Sequence, residues 1–215
     1  MLVRDIMTWN VITAPSTIPI LEAERLLEIR GFHRLPIVDK GQLVGIVTMD
    51  DLLNATPHPD TPMARRQVDY LLSKMTVRDV MKTEVVTVHP DIPVEQAVAI
   101  GQSKGVGSAL VVEDNKVVGI LTTNDIFYKI VNPLLGVNES GTRIIVYGGG
   151  EAEAMQKAIG IVSKFKVRIK AALTVASREG EKNDLILHLD TDDSASLINN
   201  LQESGFSVSS RDFKP

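Results

Sequence analysis

The 215-residue chain contains no cysteine. That excludes disulfides, thiolate nucleophiles, iron–sulfur clusters and cysteine-ligated zinc, and it is consistent with a reducing compartment, so a cytoplasmic protein is expected. Aromatic residues are scarce, at 4%, which is too few for the stacking platforms that hold single-stranded nucleic acid. Neither sign of charge dominates: 23 Lys and Arg face 27 Asp and Glu, for a net −4. Such a chain has no general attraction for a polyanion. No apolar run approaches the roughly 18 residues of a membrane span, and Met1-Leu2-Val3-Arg4-Asp5 does not read as a secretory signal. No nucleic-acid or membrane partner is therefore expected. What remains, 44% hydrophobic and 23% charged residues, is the composition of an ordinary globular chain with a core to bury.

Catalytic motifs are also missing. His33, His58, His89 and His188 are scattered, with no paired-histidine spacing for a metal. Ser108 and Ser177 have no base nearby in sequence, and no Gly-x-x-x-x-Gly-Lys-Ser/Thr loop is present. Asp190-Thr191-Asp192-Asp193 offers carboxylates to a hard cation, but it stands before a helix, where such residues cap. Lys164, Lys166, Arg168 and Lys170 alternate and predict a basic strand face, read as a solvated or aggregation-blocking edge. No catalytic residue, metal ligand or cofactor is expected.

The chain does contain itself twice. Val3-Arg4-Asp5-Ile6-Met7 returns as Val77-Arg78-Asp79-Val80-Met81, and Val44-Gly45-Ile46-Val47-Thr48 as Val118-Gly119-Ile120-Leu121-Thr122. Ile18-Pro19, Gly31 and Asp51 return as Ile92-Pro93, Gly105 and Asp125, every pair 74 positions apart. Two copies of one supersecondary unit are expected over 1–55 and 75–131.

Each copy predicts β-α-β-β-α. A β-branched run (Val11–Thr13) leads to an amphipathic helix with Ile20, Ala23, Leu26 and Leu27 on one face and Gly31 as its C-cap. Strands Leu35–Val38 and Leu43–Val47 follow, joined at Lys40-Gly41 in the first copy and at Asp114-Asn115 in the second. A helix begins near Thr48. Residues 56–74 join the copies: prolines 57, 59 and 62 interrupt any helix, after which Val68, Leu71, Leu72 and Met75 predict a linker helix that Arg65-Arg66 opens. Residues 140–215 differ. Arg143–Tyr147, Glu151–Phe165, Val167–Ser177, Asp184–Asp190, Ser194–Ser204 and Phe206–Arg211 alternate as β-α-β-β-α-β, with a polar turn over 178–183. This is the order of a ferredoxin-like split unit. The predicted class is mixed α+β and α/β.

The motif with chemistry is Gly45-Ile46-Val47-Thr48-x-x-Asp51 and its copy Gly119-Ile120-Leu121-Thr122-x-x-Asp125. A strand ends on a Thr that opens a helix, with an Asp one turn in. Free backbone N–H groups at a helix start can hold a phosphate, and the carboxylate can accept from both hydroxyls of a ribose. The plainer alternative is a capping box that binds nothing. The copies differ just before their second strands, where His33-Arg34 faces Gly107-Ser108. Arg34 is a candidate phosphate ligand with His33 in support, which predicts unequal sites. Arg4 and Arg78 are read as solvated.

On Val-Arg-Asp-Ile/Val-Met, the Thr13 and Thr87 strands, Leu35-Pro36-Ile37-Val38-Asp39 and Gly-Ile-x-Thr-x-x-Asp, residues 1–130 resemble a pair of CBS domains, a Bateman module. The resemblance implies a regulatory, non-catalytic homodimer that binds AMP, ADP, ATP or S-adenosylmethionine in a cleft and passes the signal to a partner protein. It implies that Asp51 and Asp125 bind ribose and that Thr48 and Thr122 lie near ribose or phosphate. Ile12, Thr13 and Ala14, with Val86, Thr87 and Val88, would give backbone contacts to adenine, and Ile46 and Ile120 would wall the pocket. The last segment resembles an ACT-like domain appended to such a pair, as in acetoin-utilisation-type CBS proteins, with Gly148-Gly149-Gly150 where small ligands bind. The alternative is a structural assembly module whose clefts are vestigial.

Overall fold

A computed structural model describes residues 1–55, 70, 72, 74–137, 139–177 and 182–213. Most of the linker prediction (prolines 57, 59 and 62, Arg65-Arg66, Val68 and Leu71) and the turn at 178–181 lie outside the described residues. The chain forms two compact units, Met1–Asp125 and Ile126–Pro215. Among the described residues no helix is long and apolar enough to cross a membrane.

The first unit contains α1 (Val3–Ile6), β1 (Thr8–Trp9), α2 (Ile20–Arg30), β2 (Arg34–Asp39), β3 (Gln42–Thr48) and α3 (Met49–Ala55). A 3-10 turn (Val77–Asp79), β4 (Thr87–Val88), α4 (Val94–Ser103), β5 (Ser108–Glu113) and β6 (Lys116–Thr122) follow, and α5 (Thr123–Ile126) ends it. The two hairpins share one register. Ile37 pairs with Gly45 and Val111 with Gly119, and each hairpin has a bulge immediately after that pair. Their two-residue turns carry positive φ at both positions: Lys40 52° and Gly41 82°, Asp114 49° and Asn115 61°. That is the twist a tight hairpin requires. Helix α2 buries Ile20, Ala23 and Leu27 against Leu35, Ile37, Val47 and Leu52. It ends where Gly31 turns left-handed at φ 65°.

The predicted strand Val11–Thr13 is not a strand; its neighbour Ala14 makes a single parallel bridge to Ile37. The edge strand lies earlier, at Thr8–Trp9, and pairs across the repeat boundary with Ile120 and Gly119 of β6. The two copies exchange their leading segments. Val3 and Arg4 donate to the carbonyls of Ile92 and Pro90, and Val77 and Arg78 donate to those of Ile18 and Ser16. Lys82 and Ile46 exchange both backbone hydrogen bonds at 2.9 Å. This exchange explains the motif glycines. A Cβ at Gly45 would lie 2.7 Å from Met81 Sδ, and one at Gly119 would lie 2.8 Å from Met7 Sδ, so only glycine lets the partner copy's segment cross so closely. Arg4 and Arg78 are not merely solvated. Arg4 pairs with Asp91 and Glu113, and Arg78 meets Ser16 and Asp39, so each pins an exchanged segment.

In the second unit a π-helix (Phe127–Val131) and α6 (Asn132–Leu135) precede β7 (Gly141–Tyr147), α7 (Ala152–Lys164), β8 (Ile169–Val175), β9 (Asp184–Leu189), α8 (Ala195–Glu203) and β10 (Ser207–Phe213). The sheet is antiparallel, in the order β10-β7-β9-β8. Ile144, Val146, Leu185, Leu187 and Leu189 pack with Ala158, Ile161, Val162, Leu197 and Leu201 of the helices. His188 is buried at 2% exposure; its Nε2 lies 3.2 Å from the Ser140 carbonyl and its Nδ1 lies against Gly136. The basic strand face is absent. Lys164 ends α7, Lys166 has φ 54°, and β8 starts only at Ile169. Lys170 is in β8 and pairs with Asp190 at 2.8 Å. Gly148-Gly149-Gly150 is a packed turn: Gly148 donates to Asp184 and Gly150 to the Asn183 carbonyl. Asp193 accepts from Ala195 at the start of α8, which is capping.

Candidate functional site

Both Thr-x-x-Asp motifs are reciprocal caps. Thr48 donates to Asp51 Oδ2 from its amide (2.9 Å) and hydroxyl (2.6 Å), and the Asp51 amide donates back to Thr48 Oγ1 at 3.1 Å. Thr122 and Asp125 repeat this at 2.8, 2.7 and 3.3 Å. The cap uses one carboxylate oxygen and turns the other, Oδ1, toward the segment arriving from the other copy. At Asp125 it meets the Thr8 hydroxyl, 3.3 Å away. At Asp51 it meets the Lys82 ammonium, 2.9 Å away. Burial alone would raise the Asp51 carboxyl; the Thr48 hydroxyl, the Lys82 ammonium and the Thr48 amide outweigh it and hold the group below the usual carboxylate range.

Beside Asp125 lies a cleft of about 390 Å³, within the range of small-ligand sites. Thr8–Ile12, Gly31–Arg34, Ile120 and Thr122–Asn124 line it, so both copies contribute. Of the predicted residues, Ile12, His33, Arg34, Ile120 and Thr122 meet there. Asp125, only 7% exposed, lies behind Thr8 and Thr122. Thr48 and Asp51, with Ile46 on the adjoining strand, stand at the equivalent position of the other copy. Thr13, Ala14, Val86, Thr87 and Val88 do not line this cleft. Ala14 is 5% and Val88 6% exposed, and the Ala14 amide and carbonyl are spent on Pro36 and Val38. The Val86 carbonyl likewise accepts from Leu110.

Sequence reasoning missed Thr8, Trp9, Asn10 and Phe32 in the cleft, and Lys82 on Asp51. The 74-residue offset does align Thr8 with Lys82, but the exchange that carries each to the other copy's Asp is not local. It also missed His89, Asp91 and Glu113, whose ligand atoms come within 4.8 Å of one another. Arg4 already sits on both carboxylates and supplies their counter-charge.

The CBS domain family model matches residues 3–58 and 77–132, more than half of the chain, and the chain belongs to that family. An L-aspartate semialdehyde sulfurtransferase of Methanocaldococcus jannaschii is 39% identical over 128 residues, 58% of this chain and 22% of that enzyme. The chain spans less than half the length of the first curated relatives it matches. Among solved structures, the CBS domain pair of protein MJ0100 in complex with 5′-methylthioadenosine and S-adenosyl-L-methionine is similar. It is 34% identical with a TM-score of 0.51, covering 61% of this chain and 97% of that one. A candidate acetoin utilization protein (AcuB) of Vibrio cholerae is 30% identical with a TM-score of 0.52, covering 64% and 94%.

Proposed function

We propose that this chain is a non-catalytic sensor that binds an adenosyl ligand in the cleft beside Asp125. The observation that carries this reading is the cleft itself. It is open, walled by both copies, and borders a helix start capped by the Asp125 side chain. Ile12 and Ile120 give apolar walls, and the exposed rings of Trp9 and Phe32 give faces against which a purine can lie. A ribose hydroxyl would compete with the Thr8 hydroxyl, 3.3 Å away, for Asp125 Oδ1. Among the described residues no carboxylate pairs with Arg34, which suits it to a phosphate. Thr13, Thr87 and the backbone of their neighbours remain candidates for adenine, with Thr48 and Asp51 as a second ribose position.

The MJ0100 complex with two adenosyl compounds supports this ligand class. Because residues of both copies line the cleft, a ligand there touches both and biases their orientation, provided it prefers one arrangement. The β-α-β-β-α-β unit with strand order 4-1-3-2 supports an ACT-like regulatory domain. Homodimerisation, a cytoplasmic location and a regulated partner protein complete the reading. The Lys82 contact on Asp51 favours the vestigial reading for that copy's cleft.

Titration calorimetry with AMP, ADP, ATP and S-adenosylmethionine tests the proposal. At least one should bind, and Arg34→Ala should weaken AMP about tenfold, the worth of one charge-assisted hydrogen bond, while leaving adenosine unchanged. A folded protein that gives no heat with any of these ligands refutes it.

A further inference from the structure

The position where the two copies diverge in charge is the one that the exchanged segment brings to each motif Asp. Lys82 Nζ holds Asp51 Oδ1 at 2.9 Å, with the carboxylate side chain 16% exposed and the lysine 65%. Oδ2 is committed to the cap, so both oxygens are engaged. Backbone hydrogen bonds to Ile46 fix Lys82 in place, confining its four-carbon stem to this site. At Asp125 the same position is a hydroxyl, that of Thr8.

We infer that Lys82 makes the Asp51 position selective for adenosyl ligands that carry an anionic 5′ group, a phosphate above all. The inference rests on the proposed reading of the motif Asp residues as ribose ligands. A ribose that takes Oδ1 must displace the ammonium. An uncharged nucleoside gives that ammonium nothing in return, and a sulfonium adds a like charge beside it. A phosphate re-pairs with it, and because Lys82 is largely exposed the side chain can follow the phosphate without leaving the site. The Asp51 position thus admits anionic adenosyl ligands and discriminates against neutral and cationic ones.

Calorimetry on Asp125→Asn, which leaves the Asp51 position, and on Asp125→Asn/Lys82→Thr isolates the effect, with adenosine, AMP and S-adenosylmethionine as probes. Removing Lys82 should tighten adenosine about two- to fivefold, the release of an exposed ion pair, and weaken AMP about tenfold, the loss of a charged contact. Changes of opposite sign are something that structural damage cannot imitate. The reciprocal variant, Asp51→Asn/Thr8→Lys, should confer the same preference on the Asp125 position. Adenosine and AMP moving together, or neither moving, overturns the inference while the binding reading stands. No binding of any probe to any of these proteins, or to the parent, overturns the binding reading and the inference with it.

Discussion

Gly119→Ala tests the exchange of leading segments on which the whole first unit depends. The added methyl would sit 2.8 Å from Met7 Sδ and 2.8 Å from the Thr8 carbonyl oxygen. The thioether can swing aside at modest cost, but the carbonyl is backbone, held in the β1–β6 pairing of Thr8 with Ile120 and Trp9 with Gly119. Residues 7–9 must therefore shift. Overpacking of this kind costs about 2 kcal/mol, and weakening one ladder hydrogen bond adds about 1 kcal/mol, so a loss of about 3 kcal/mol is expected. Trp9 is the sole tryptophan and belongs to the strand being pushed, so its emission reports the right event. Urea unfolding followed at Trp9 should show a lower midpoint, and the native emission should change before unfolding begins. Gly41→Ala is the control: nothing lies within 4 Å of its added Cβ, and only its φ of 82° resists, a cost nearer 1 kcal/mol. A Gly119→Ala protein within about 0.5 kcal/mol of the parent, the ordinary scatter of surface changes, with an unchanged Trp9 spectrum, would refute the close crossing.

In the second unit, Gly136→Ala would drive a Cβ into the His188 ring at Nδ1, at a φ of 62°, and should cost at least about 2 kcal/mol. Adding His188→Ala should recover part of that loss in thermal melts, which a purely conformational penalty would not allow. Gly160, inside α7 with nothing within 4 Å of an added Cβ, should gain about 0.5–1 kcal/mol as Ala, and a loss there would mean the site is not open. Among the described residues of the first unit, Asp39 and Asp51 have lowered pKa values and contribute to its acid limb. The hydroxyl and amide of Ser16 chiefly lower Asp39, with Arg78 assisting, while burial opposes them; Asp51 is lowered as described. A depressed carboxylate stabilises the fold above its unfolded pKa of about 4. That contribution is lost as pH falls through the lower folded value, so Asp39→Asn and Asp51→Asn should flatten the decline of Trp9-monitored stability below about pH 4. An unchanged slope in both variants would count against these contacts.

Local features of the fold were legible in the sequence because their causes are local. Helix α2 follows from Ile20, Ala23 and Leu27 at helical spacing and a glycine stop. The hairpins follow from two-residue turns whose residues tolerate positive φ. The β-branched run Val11–Thr13 misleads because strand propensity says nothing about a partner. The edge strand forms at Thr8–Trp9, where β6 of the other copy stands ready to pair. The lysine alternation over 164–170 misleads for a different reason: a helix end, a left-handed residue and a strand start share the spacing of one strand.

The candidate site divides along the same line. A Thr and an Asp three residues apart can cap each other without outside help, so the Thr48–Asp51 and Thr122–Asp125 pairs were readable. What lies against each Oδ1 was not, because that group arrives from the other repeat. Exchange of leading segments also explains why the copies can diverge there. Met7-Thr8 and Met81-Lys82 cross their glycines by backbone and by the methionine side chain, which are the same in both copies. The next side chain projects over the partner's carboxylate and carries no part of the sheet. A lysine in one copy and a threonine in the other therefore leave the architecture intact while changing the charge each Asp meets. Divergence confined to such a position changes what the two sites can bind without changing how the pair folds.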